Sequence, residues 1–284
     1  MRNKFNVITL YSTKQDRRII SIAKQCHEVL SSKGVKVLLD KNLSKISSSG
    51  FRVASEQSIL KHSDLMISIG GDGTMLNCSR KYGLKGIPVL GINLGNLGFL
   101  NDIPPEELTS SLTKILEGEY SEDNRFFLEA SLKGKKTVAL NEVVIHSGEI
   151  AQLIEYDLFI NDSFVYRQKA DGLIISTPTG STAYSLSGGG PIVHPKVKSI
   201  MISPMLPLSL SSTSLLVESE SKIRVNLVKG SKKAHISFDS QGRFLLKANE
   251  EIYLSKSSSR LKLLHPKGQD FFEACRNKLG WSKE

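Results

Sequence analysis

The run Leu65-Met66-Ile67-Ser68-Ile69 passes directly into Gly70-Gly71-Asp72-Gly73-Thr74, and no other stretch restricts the fold as strongly. Five mostly apolar residues stopped by glycine have the length and composition of a buried strand. Three glycines in four positions carry no Cβ, so the turn is predicted to use positive φ and to let a ligand approach the backbone. Met75-Leu76-Asn77-Cys78-Ser79-Arg80 then reads as a helix. Strand end, glycine turn and helix start together favour an anion site, because unpaired N–H groups point out of the turn. Asp72 is the odd member, since a carboxylate repels phosphate unless it has a chemical task.

The flanking segments extend this unit into an α/β domain. Residues 5–10 and 35–39 read as strands around a helix from Asp16 to Leu30, with Ile19, Ile20, Ala23, Val29 and Leu30 at near-helical spacing. Such a βαβ unit implies a parallel sheet with a right-handed crossover. A serine-rich loop, Ser44 to Gly50, follows, and another helix leads to the strand 65–69. A further strand, Ile87 to Ile92, feeds a second glycine-rich turn, Asn93 to Leu100. Ligands in open α/β sheets bind beyond the carboxyl ends of the strands, so the two turns are expected to line one crevice. Pro104-Pro105-Glu106-Glu107 opens a helix with Leu108, Leu112, Ile115 and Leu116 on one face.

After about residue 124 the pattern changes to short β-rich runs: 125–132, 138–145, 154–160, 173–176, 223–227, 234–238, 252–254 and 261–264. The expected architecture is an α/β domain over 1–123 with a parallel, Rossmann-like sheet, then a mostly-β, sandwich-like domain over 124–265. The tail, 266–284, returns to helical spacing and is expected to pack back on the first domain, with Trp281 packed rather than solvated.

Composition limits the partners. The net charge of +10, from 38 basic and 28 acidic residues, suits anionic ligands. The basic pairs Arg17-Arg18, Lys135-Lys136 and Lys232-Lys233 are scattered, with no basic arm and no RNP pattern, which argues against nucleic acid. No apolar run approaches the roughly 20 residues of a membrane span. The N-terminus shows no signal-peptide core, and Cys26, Cys78 and Cys275 form no CxxC pair, so a reduced cytoplasmic protein is expected. His146, His194, His235 and His265 lack metal-ligand spacing. There is no GxxxxGK[ST], no GxGxxG in the first βα turn and no G-x-S-x-G around Ser181.

The most unusual segment after residue 124 runs from Asp171 to Pro191, where a short strand empties into hydroxyls and glycines around one aromatic, Tyr184. Small hydroxyls and exposed N–H groups suit ribose, phosphate or a purine edge. A Ser/Thr/Gly loop of this length is expected to need a ligand to order it. Tyr184 is placed for ring stacking on a base. Asn141-Glu142 opens the strand Val143-Val144-Ile145 and is either a pair for a sugar diol or an ordinary polar strand start.

Taken together, these segments resemble the NAD kinase family, of the bacterial type. The resemblance rests on Gly70-Gly71-Asp72-Gly73-Thr74, on Gly91-Ile92-Asn93 with Leu97-Gly98-Phe99-Leu100, on Asn141-Glu142, and on Asp171 through Tyr184. Leu264-His265-Pro266 and Leu279-Gly280-Trp281-Ser282-Lys283 extend it to the end of the chain. It implies that Asp72 is the catalytic base, acting on the 2′-hydroxyl of the adenosine ribose of NAD. ATP or polyphosphate would be the donor, with Mg²⁺ or another divalent cation whose ligands are not identified. Gly71, Gly73 and Phe99 would line the N-terminal side, and Asn141, Glu142, Asp171, Thr182, Ala183, Tyr184 and Ser187 the NAD pocket. Lys169 resembles the basic residue of NAD-preferring members, and Gln241 a position contributed to a neighbouring subunit of a homodimer or homotetramer. The partners implied are NAD and ATP, not nucleic acid or membrane. Two alternatives share parts of the pattern: a lipid or sphingoid kinase with the same glycine turn, and a non-catalytic nucleotide-binding protein.

Overall fold

A computed structural model of the chain describes residues 4–46, 51–95, 98–149, 152–229 and 233–281. Ser47 to Gly50 of the serine-rich loop, Asn96-Leu97, Lys232 and Ser282-Lys283 lie outside the described residues. The chain divides into two compact units, Met1–Asn124 with Ser259–Glu284, and Arg125–Ser258.

In the first unit the elements run β1 (Val7–Tyr11), α1 (Arg17–Ser32), β2 (Lys36–Asp40), β3 (Arg52–Ala54), α2 (Glu56–His62), β4 (Leu65–Gly70), α3 (Asp72–Lys81), β5 (Val89–Asn93) and α4 (Leu108–Leu116). Asp16 starts α1 by accepting from the Ile19 amide at 3.0 Å, which satisfies one of the helix's orphan donors. The strands pair in parallel in the order β3-β2-β1-β4-β5. Alternate residues of β1, β2, β4 and β5 (Ile8, Leu39, Ile67, Ile92 among them) join Ile19, Ala23 and Leu30 of α1 and Leu112 and Ile115 of α4 in one core. The opposite face holds Gly91, where a Cβ would stand 2.6 Å from Met75 Cε, so α3 packs on that side. Helices on both faces explain why β4 is apolar except for Ser68 and buried at all six positions.

The second unit is antiparallel. It contains β6 (Tyr120–Leu132) and β7 (Lys135–Ala139), then β8 (Glu142–His146), β9 (Ile154–Ile160), β10 (Ser163–Ser176), α5 (Tyr184–Ser187), β11 (Ser199–Pro207), β12 (Leu215–Glu218), β13 (Ile223–Leu227), β14 (Ala234–Phe238), β15 (Gln241–Leu246) and β16 (Glu251–Pro266). The strand order is β15-β14-β8-β10-β9-β13-β16, with β11 and β12 added beside β10. Inward residues of these strands form a single apolar core that includes Val143, Tyr156, Ile175, Ile202 and Ile236. β6 begins in the first unit, and the last residues of β16 belong to it again, pairing with Val89 and Leu90 of β5. The chain closes with α6 (Phe271–Leu279).

Several expectations change. The run 138–145 is two strands, separated at Leu140-Asn141, and 252–254 with 261–264 are one continuous strand. β11 and β12 answer to no predicted strand. Helix α3 begins at Asp72 itself, with Gly71 as its N-cap at φ −93°. Of the three turn glycines only Gly70 takes positive φ, at 153°, and Gly73 is helical. Trp281 is 45% exposed rather than packed away.

Candidate active site

In the first unit, strand order places the candidate base. The order 3-2-1-4-5 reverses direction between β1 and β4, and the crevice beyond the carboxyl ends at such a reversal is where open α/β sheets bind ligands. Asp72 is the first residue of α3, immediately beyond the end of β4. The turn is closed by side chains from both neighbours: Thr13, after β1, shares a 3.0 Å hydrogen bond with Thr74, and Asn101 Nδ2 donates to the Gly70 carbonyl at 3.3 Å. A Cβ on Gly70 would lie 2.6 Å from Thr74 Oγ1, so glycine is required there for space as well as for φ.

The Asp72 carboxylate is held on two sides. The Phe99 amide donates to Oδ2 at 3.4 Å, and Lys278 Nζ of α6 donates to the same oxygen at 3.0 Å. Gly98 packs against Oδ1 so closely that a Cβ would overlap it. Oδ1 is buried and has no hydrogen-bond partner among the described residues. Gly71 and Gly73 are exposed beside it, and Phe99 is partly buried. Thus Gly71, Asp72, Gly73 and Phe99 are brought together.

In the second unit two of the predicted residues, Asn141 and Glu142, sit at the break between β7 and β8. Asp239, 4% exposed, accepts from the amides of Asn141 at 2.7 Å, Leu140 at 3.0 Å and Glu142 at 3.3 Å. It sits with Ser240 in the β14–β15 hairpin, both at positive φ (48° and 57°), the conformation of a tight twisted turn. On the carbonyl side, Thr177 Oγ1 donates to Leu140 at 2.6 Å and Ser176 Oγ to Asn141 at 3.1 Å. With its backbone secured on both edges, the corner leaves Asn141 Oδ1 and Glu142 Oε2 buried and without partners among the described residues. Burial pushes the Glu142 carboxyl up to about 8, the Asp239 carboxylate adds to the rise, and a hydrogen bond from the Tyr184 amide opposes it. Glu142 is therefore a neutral acid near neutral pH, able to donate as well as accept.

The hydroxyl segment is better ordered than expected. Thr179 to Thr182 form a 3-10 turn leading into α5, and most hydroxyls serve the backbone. Ser181 Oγ donates to the Pro178 carbonyl and accepts from the Val193 amide, and the buried Arg125 donates to Thr179 at 3.0 Å. Gly180 has no room for a Cβ against the Asn141 backbone. Thr182, Ala183, Tyr184 and Ser187 remain partly or well exposed, with Tyr184 at 44%. A cavity of about 340 Å³ is lined by Asp171, Tyr184, His146, Met205, Ser237 and Ser240. Lys169 is elsewhere: it faces Glu155 at 3.7 Å and lines a separate cavity with Arg167 and Leu208. Gln241 is exposed at the start of β15, next to Ser240.

Three residues had no prior assignment: Asp239, Gly98 and Lys278. For Asp239 a signal exists, since Asp-Ser between two β-rich runs is a hairpin turn. Lys278 has none: it is the one lysine of an amphipathic helix, and nothing in the sequence ties that helix to the glycine turn.

Residues 7–120 match the profile of the ATP-NAD kinase N-terminal domain, and residues 140–266 that of the ATP-NAD kinase C-terminal domain. The chain is 40% identical over 285 residues to an NAD kinase of Teredinibacter turnerae, covering 98% of this chain and 97% of that one. It is 39% identical to an NAD kinase of Photorhabdus laumondii, covering 100% and 99%. Among solved structures, yeast NADH kinase complexed with NADH superposes with a TM-score of 0.90 at 26% identity, covering 100% of this chain and 90% of that one. An NAD kinase from Archaeoglobus fulgidus in complex with ATP gives 0.77 at 27% identity, covering 96% and 97%. The glycine turn falls within the first matched domain and the hydroxyl segment within the second, and the chain belongs to the ATP-NAD kinase family.

Proposed function

We propose that the protein transfers the γ-phosphoryl group of ATP to the 2′-hydroxyl of the adenosine ribose of NAD, with Asp72 as the base. The observation that carries this reading is the placement of one carboxylate at the first position of α3, at the reversal of the strand order, with Oδ1 unpartnered. Asp72 would orient the hydroxyl and take its proton as the oxygen attacks phosphorus. Phosphoryl transfer depends mainly on positioning and charge stabilisation, so one carboxylate and the positive end of the α3 dipole supply most of what is required of the protein.

In the second unit, Asn141 Oδ1 and Glu142 Oε2 are the buried acceptors for a sugar diol, and a protonated Glu142 adds a donor. Asp171, Thr182, Ala183 and Ser187 complete the polar lining, and the exposed Tyr184 ring stacks on a base. Lys169, paired with Glu155, would influence the choice between NAD and NADH through that pair rather than by direct contact.

The residues present fit a magnesium ion carried in on phosphates. Among the described residues no group of three or more His, Cys, Asp or Glu could hold a metal, whereas Asp72 offers one oxygen without a partner. Magnesium keeps waters and phosphate oxygens and needs only one or two carboxylates. When bound, it would neutralise charge on the transferred group.

We further propose that the chain works as a homodimer or homotetramer, with Gln241 reaching a neighbouring pocket. The support is Leu206, Leu208 and Leu210, exposed at 76%, 68% and 103%, an unusual run of solvent-facing leucine. No described helix is long and apolar enough to cross a membrane.

The decisive experiment crosses ATP and polyphosphate with NAD and NADH in the parent and in Asp72→Asn. The base assignment predicts a loss of about 10²–10⁴-fold in kcat. Retention of NADP formation within about threefold of the parent would remove Asp72 from that role.

A further inference from the structure

The carboxylate at the glycine turn poses an electrostatic problem, because a triphosphate brought to the start of α3 meets Asp72. The C-terminal helix answers it. Lys278, in the last turn of α6, places Nζ 3.0 Å from Asp72 Oδ2 and 4.6 Å from the centroid of the Phe99 ring. Phe99 is fixed in turn by Phe271, from the first turn of the same helix, with ring centroids 6.3 Å apart. The other cation of that last turn, Arg276, is engaged away from the site, with Asp270 at 3.6 Å.

The lysine is not sequestered. Its side chain is 34% exposed and that of Asp72 30%, and an ammonium has three donors. One donor is used by Asp72, and among the described residues no other hydrogen-bond partner takes the remaining two, which can meet anionic oxygens. Asp72 and Lys278 together carry no net charge, so the positive end of the α3 dipole is left to attract a polyanion.

We propose that Lys278 is a donor-binding residue: it offsets the charge of Asp72 and gives its remaining N–H groups to the phosphate oxygens of the nucleoside triphosphate. The inference rests on the assignment of Asp72 as base. Lys278 takes no part in proton transfer, and its contribution is to let the base and a polyphosphate occupy one turn.

The test uses the full chain and a non-hydrolysable ATP analogue with magnesium, titrated by calorimetry, alongside steady-state kinetics. Lys278→Ala should weaken the analogue and raise KM for ATP by about tenfold, the effect of one charge-assisted hydrogen bond, with KM for NAD changed less than about twofold. Lys278→Arg should recover to within about threefold of the parent, Lys278→Gln should not, and Lys278→Glu should be weaker than Ala. Thermal melts close to the parent establish that each variant is folded. Unchanged analogue affinity in Lys278→Ala, equal recovery by Arg and Gln, or faster turnover on removing the lysine would each overturn the proposal. Asp72→Asn is measured in parallel. If it stays active, the base assignment fails; if it is inactive while Lys278→Ala binds the analogue like the parent, only the role of Lys278 is lost.

Discussion

Glu142 shows how far one residue's surroundings can set its chemistry. It is 2% exposed, its backbone amide is tied to Asp239, and its carboxyl is pushed up to about 8. The folded chain therefore keeps a proton that the unfolded chain, with an ordinary value near 4.5, releases. The stabilisation is complete below about pH 4.5 and is lost as pH rises through about 8, amounting to at most a few kcal/mol. Melting temperatures followed across this window should fall for the parent and stay flatter for Glu142→Gln. Equal slopes would show that Glu142 does not titrate there. Gly98 makes a second residue-scale prediction. An alanine Cβ would displace Asp72 Oδ1, so Gly98→Ala should lower kcat by about tenfold or more while shifting the melting temperature little. Parent-like kcat in a folded variant would mean that the carboxylate position is unimportant.

At the scale of elements, the corner between β7 and β8 depends on a hairpin about 100 residues away in the chain. Three amide hydrogen bonds converge on Asp239, and removal of the carboxylate leaves buried donors without acceptors. Asp239→Ala should cost about 2–4 kcal/mol of stability and weaken NAD binding, as read by denaturant unfolding and calorimetry. A variant with unaltered stability would deny the clamp.

This long-range support also marks the limit of the sequence reading. The parallel sheet, the periodicity of α1, the apolar face of α4 and the turn at Asp72 were legible because each is encoded within a short window of sequence. The break at Leu140-Asn141 was only half legible: Asn141-Glu142 reads as a strand start, but 138–145 also reads as one run, and Asp239, which fixes the corner, is remote in sequence. β11 escaped notice because Ser199, Ser203, Pro204 and Pro207 interrupt a strand whose partners supply the pairing. The hydroxyls between Ser176 and Ser185 looked like ligand donors because composition alone does not distinguish an outward group from one bonded to its own backbone.

For the whole molecule, the two units divide the chemistry. Asp72, the proposed base, and Lys278 belong to the unit that contains both ends of the chain, and Asn141 and Glu142 belong to Arg125–Ser258. The leucines at 206, 208 and 210 lie in the latter and give a prediction about assembly. Replacing all three by serine should reduce the particle measured by light scattering to a smaller oligomer or monomer, with the fold retained by circular dichroism. An unchanged mass would place the subunit contact elsewhere.

The internally bonded hydroxyl segment has a thermodynamic consequence. A loop ordered only by its ligand would lose conformational entropy on every binding event, and affinity would be reduced accordingly. Here Thr177, Ser181 and Arg125 complete that ordering during folding. Dinucleotide binding should therefore resemble association with a rigid surface, with a heat-capacity change set by the apolar area covered rather than by a coil becoming ordered.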